Sequence, residues 1–132
     1  MQPPLPRTKV LLPFCLFCLI AALPVRGLAE DHPKEKPYAL IFGTVFDPEG
    51  RTVYGIKVHI RRAAEKKSRW EQYSNHTGEF AQRVPAGKAD YVVWADTKGY
   101  KLPDNKHLKP GTEVTVHIEN DERADISLHL IW

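Results

Sequence analysis

The sequence predicts an all-β protein, a single antiparallel sandwich of seven short strands. Three observations carry this. Several segments alternate apolar and polar residues with period two, the mark of a strand with one wet face. Turn-forming clusters punctuate them: Asp47-Pro48-Glu49-Gly50, Asn75-His76-Thr77-Gly78 and Pro85-Ala86-Gly87-Lys88. No stretch carries the three-and-four spacing of an amphipathic helix over a useful length.

The first 29 residues are set apart from that pattern. Arg7 and Lys9 precede an apolar run from Val10 to Val25, 16 residues long, and Gly27-Leu28-Ala29 follow. A basic start, an apolar middle and small residues at the end describe a secretory signal peptide, with cleavage expected after Ala29. The rival is a retained membrane anchor. The run falls short of the roughly 20 residues that span hydrocarbon, and Pro24 breaks it near its end.

Cleavage changes the chemistry of what remains. Cys15 and Cys18 leave with the signal, so the mature chain has neither disulfide nor thiolate. Arg7, Lys9 and Arg26 leave too, and the remaining 16 basic residues balance 16 acidic ones. The formal charge of +3 therefore belongs to targeting, and gives no reason to expect a nucleic-acid partner. The mature chain is exported, to the periplasm or the extracellular space, and touches membrane only through an uncleaved signal. Its 103 residues suit one domain that folds without cross-links.

Residues 30–37 (E-D-H-P-K-E-K-P) are charged and Pro-rich, a flexible leader. The domain spans 38–132. Tyr38 to Phe46 is the first strand, apolar at nearly every position. If Ile41 and Val45 face the core, Leu40, Phe42 and Phe46 face out. That outer face is expected to be covered by the long loop, the leader or another molecule. Asp47-Pro48-Glu49-Gly50 then turns the chain. Val53 to Arg62 is the second strand, with Ile56, Val58 and Ile60 on one face and Lys57, His59 and Arg61 on the other. Arg69 to Ser74 and Glu79 to Val84 are the third and fourth strands, and Tyr91 to Ala95 the fifth. The irregular stretch from Asp96 to Thr112 is the first place to seek a partner surface. Val114 to Glu119 and Asp125 to Ile131 complete the set as an expected hairpin.

The pattern Gly43, Val45, Asp47, Gly50, then Gly55 and Val58, resembles the carboxypeptidase regulatory-like domain. Thr77-Gly78-Glu79-Phe80, Val84-Pro85-Ala86-Gly87 and Lys98-Gly99-Tyr100 extend the likeness over nearly all of 38–132. The resemblance implies a transthyretin-like Greek-key sandwich serving as a non-catalytic accessory. An enzymatic branch of that fold hydrolyses 5-hydroxyisourate and ends in Tyr-Arg-Gly-Ser. This chain ends Leu128-His129-Leu130-Ile131-Trp132, and Gly43-Thr44-Val45 stand where that branch has a His motif, so the activity is not expected.

Candidate sites follow from residue chemistry. Trp70, Tyr73, Trp94 and Tyr100 offer flat rings on which sugar C–H faces stack, a platform for polysaccharide. Filling a small β core is their ordinary alternative role. The resemblance adds that starch-binding domains share a related sandwich. Phe42 and Phe46 mark the outer face of the first strand as a surface for an envelope protein. Arg61, Arg62, Lys66, Lys67 and Arg69 form a basic end suited to an anionic surface, lipid or acidic polysaccharide. His117 and His129, diagonal across the expected hairpin with Glu119 beside them, could hold a transition metal, but solvated histidines explain them as well. Glu119, Asp121, Glu122 and Asp125 crowd a turn without the spacing of a calcium loop. No cofactor or catalytic residue is expected: Ser68, Ser74 and Ser127 sit in no nucleophile motif. Asn75-His76-Thr77 fits an N-glycosylation acceptor.

Overall fold

The structure is a computed structural model that describes residues 35–132. The expected signal segment and residues 30–34 of the expected leader lie outside the described residues. Seven strands form: β1 (Tyr38–Phe46), β2 (Lys57–Arg62), β3 (Trp70–Tyr73), β4 (Glu79–Pro85), β5 (Ala89–Asp96), β6 (Val114–Ile118) and β7 (Arg123–His129). They build two sheets, ordered β4-β1-β7 and β3-β2-β5-β6. After β2 and β3 have started the second sheet, β4 returns beside β1, a Greek-key crossover.

The period-two pattern becomes the core. Ala39, Ile41 and Val45 of β1 are buried, as are Val58 and Ile60 of β2, Tyr91, Val93 and Ala95 of β5, and Val116 and Ile118 of β6. Burying each of the larger aliphatic side chains contributes roughly 1.5–3 kcal/mol. Gly43 shares this inner face and lies opposite Phe80 in the β1–β4 register. A Cβ on Gly43 would stand 2.3 Å from the Phe80 ring, so the missing side chain makes room for it. The turn after β1 forms as its residues dictate. Asp47 Oδ1 accepts the N–H of Glu49 and of Arg51, both at 2.9 Å, and Gly50 takes a φ of 84°.

Three expectations are corrected. β2 begins at Lys57 rather than Val53, because Gly55 turns at a φ of 81° and Ser74 intervenes. The buried Ser74 hydroxyl accepts the Ile56 N–H at 2.9 Å and donates to the Val53 carbonyl at 2.7 Å. Second, one pairing is parallel. β7 enters from the opposite sheet, after β6, and so runs alongside β1 in the same direction. Third, for the same reason β6 and β7 are no hairpin: they belong to different sheets. The outer stripe of β1 is half-buried, with side chains of the flanking strands lying partly over it. The Arg123 guanidinium lies 4.2 Å over the Phe42 ring, His129 stacks on Phe46 at 5.3 Å, and Arg83 lies 4.3 Å over Tyr38.

Candidate functional site

The outer face of the four-stranded sheet concentrates the polar chemistry. Strand register places Glu71, His59 and Trp94 in one row across β3, β2 and β5, and Tyr73, Lys57 and Asp96 in the next. His59 Nε2 lies 2.9 Å from Asp96 Oδ2, while Nδ1 lies 3.3 Å from Ser68 Oγ and 3.5 Å from Glu71 Oε1. Its ring stacks on Trp94 with centroids 5.2 Å apart and 17° between planes. The hydrogen bond from His59 and the Lys98 N–H together hold the Asp96 carboxyl below the usual aspartate range. Lys57, hydrogen-bonded to Glu71 at 3.4 Å, is held above the ordinary lysine value by that bond. The histidine is thus fixed on both ring nitrogens, and it fixes the indole beside it.

Trp94 lines a groove of about 320 Å³. Arg61 and Lys66 line it as well, together with Pro110, Gly111 and Glu113 of the 97–113 loop. Arg61 does not wave in solvent. Its Nη1 donates to the carbonyls of Arg62, Ala63 and Glu65 at 3.3, 3.1 and 2.8 Å. The guanidinium carbon sits 5.9 Å from the Trp94 ring centroid. A flat apolar ring with cations beside it can stack a sugar and pair with an anion.

Ser68, His59 and Asp96 line up in the order of a hydrolase triad. The Ser68 hydroxyl also donates to the Trp70 carbonyl at 3.0 Å. Nδ1 faces a second carboxylate, Glu71. These contacts hold the imidazole against the Trp94 ring.

The four aromatic candidates do not make one platform. Trp94 and Tyr73 share the outer face, in adjacent rows, with Tyr73 61% exposed. Trp70 pairs with Ile60 and packs inward, edge-on to Tyr91 at 5.8 Å. Tyr100 lines a separate cleft of about 330 Å³ at one end of the sandwich, with Val53, Leu102 and Leu108. Tyr54 and Trp132 also border that cleft, and sequence reasoning missed both. Tyr54 fell inside the expected second strand and Trp132 just past the expected last one, so neither stood out. Phe42 and Phe46 lie on the other sheet's outer face. The basic end is divided: Arg69 pairs with Glu65 at 2.8 Å, Arg61 braces the turn, and Arg62 lies beside Tyr91.

The metal candidates are separated as well. His129 stacks on Phe46, whereas His117 sits on the opposite sheet between Asp90 and Glu119. The hydrogen bond to Asp90, then that to Glu119, raises the His117 pKa above its ordinary value. In the acidic turn, Glu122 accepts the N–H of Glu119 at 2.9 Å and of Asn120 at 2.7 Å, and Asp125 pairs with Arg123 at 2.6 Å. Among the described residues, no group of three or more potential ligands is placed to hold a metal.

No family model matches the chain, and no curated protein matches it by sequence. Solved structures do share its shape. (S)-Allantoin synthase is 14% identical with a TM-score of 0.52, over 73% of this chain and 41% of that one. The shaft pilin SpaA of Lactobacillus rhamnosus GG is 8% identical with a TM-score of 0.50, over 74% and 51%. The 5-hydroxyisourate hydrolase of Klebsiella pneumoniae is 16% identical with a TM-score of 0.46, over 69% and 90%. The chain spans about half or less of the synthase and the pilin. At these identities the likeness is one of fold, the two-sheet sandwich, and function must come from the site.

Proposed function

We propose that this chain is an exported, non-catalytic domain of the carboxypeptidase regulatory-like, transthyretin-like type. It acts at the cell envelope by binding polysaccharide on the outer face of its four-stranded sheet. One observation carries the reading: Trp94 is held flat by His59, which is itself clamped by Asp96 at 2.9 Å, beside an open groove. A ring fixed before binding loses little entropy when a sugar stacks on it. A glycan array probed with the purified protein tests this. Trp94→Ala is expected to weaken the bound glycans at least about tenfold, as truncating an aromatic anchor does. Trp132→Ala, in the end cleft, is expected to leave them bound. Glycan binding that survives Trp94→Ala and disappears with Trp132→Ala would sink the assignment.

A second reading is association with an envelope protein through the half-buried Leu40, Phe42 and Phe46 stripe. Cross-linking in the envelope that is abolished by Phe42→Ser, and untouched by Trp94→Ala, would favour it.

A further inference from the structure

Three features of the groove point beyond a neutral sugar. Arg61 is tethered through Nη1 alone; among the described residues its Nε and Nη2 make no hydrogen bond. Those two donors form the edge of the guanidinium that matches a carboxylate with two parallel bonds. Lys66 lines the same groove and forms no ion pair among the described residues, while the neighbouring Glu65 is taken by Arg69 at 2.8 Å. Glu113 lines the groove too, leaving a net charge of +1 among its ionised side chains.

We infer that the groove takes an acidic polysaccharide, with a uronate residue seated on Trp94 and its carboxylate on the free edge of Arg61. The pyranose C–H face lies on the indole. Lys66 contributes a second positive charge along the glycan. Glu113 repels a carboxylate beside it and accepts hydroxyl protons there, so the sugar has one orientation. This rests on the proposed polysaccharide reading and adds the ligand's charge. Because the site is open, its charge pairing weakens with salt.

Calorimetric titration of the protein with an α-1,4-linked oligogalacturonate, its methyl ester and anionic phosphatidylglycerol vesicles tests the inference. The acid is expected to bind at least about tenfold tighter than the ester, the worth of one charge-assisted hydrogen bond. Lys66→Glu, an exposed change, is expected to erase that preference with the melting temperature intact. Arg61→Gln is expected to do the same, and circular dichroism separates this from a loosened turn. Equal binding of acid and ester, both lost in Trp94→Ala, overturns the acidic ligand but keeps the polysaccharide reading. Binding of neither glycan overturns both, as does binding of vesicles alone.

Discussion

Gly43 shows how one residue sets the packing of both neighbouring strands. Its backbone is close to the Phe80 ring, and an added methyl would fall 2.3 Å from Cζ and 3.1 Å from the Ile126 side chain. Phe80 is 4% exposed and has nowhere to retreat. Gly43→Ala is therefore expected to cost about 1–3 kcal/mol by overpacking, lowering Tm by roughly 4–8 °C per kcal/mol in a domain this small. Adding Phe80→Leu recovers part of the loss. An unchanged Tm in Gly43→Ala contradicts this packing. At this scale, legibility depended on sequence distance. Asp47 was readable because it bonds an N–H two residues on, a local habit of Asp. Ser74 was not, because its partners Ile56 and Val53 lie 18 and 21 residues away. Arg61 was readable as a charge, but its three carbonyl contacts, which make it a fixed fork, belong to the folded turn.

At the scale of elements, carboxylates hold the connections between strands, and this sets a pH dependence. Burial works against ionising Asp47, yet the N–H groups of Arg51 and Glu49 outweigh it and keep its pKa below 3.8. Asp96, at the end of β5, and Glu122, between β6 and β7, are lowered likewise, by His59 and by the Glu119 N–H in turn. Depressed folded values mean stability that is fully present above the unfolded values, about 3.9 and 4.3. It is lost as pH falls through the folded ones. His117 has the opposite sign. Its value is raised above 6.5, so its contribution is present below that and fades as pH rises through the raised value. Both of its partners are exposed, so added salt shrinks that second effect. Urea midpoints measured across pH are expected to fall below about pH 4, and Asp47→Asn to flatten part of that fall. A midpoint constant down to pH 2 would remove these turns from the account. The strand faces were legible here, since alternation fixes which side is wet. Strand neighbours were not. Alternation is silent on whether β7 lies beside β6 or beside β1, and the separation of His117 from His129 followed from that choice.

For the whole molecule, the 97–113 loop lines three hollows of the scaffold. It contributes Tyr100, Leu102 and Leu108 to the end cleft, Lys106, His107 and Lys109 to a neighbouring hollow, and Pro110, Gly111 and Glu113 to the Trp94 groove. Its lack of regular structure marked it in the sequence as a partner surface, but its choice of walls did not show there. The fold then separates the three tryptophans. Trp70 packs inward, Trp94 lies in the outer groove, and Trp132 borders the end cleft. Each indole N–H gives its own signal in a ¹⁵N–¹H correlation spectrum, so one titration reports on all three surfaces. With oligogalacturonate as the probe, the account predicts that the Trp94 indole signal shifts saturably while those of Trp70 and Trp132 stay in place. A shift confined to Trp132, or no indole shift at all, would contradict it.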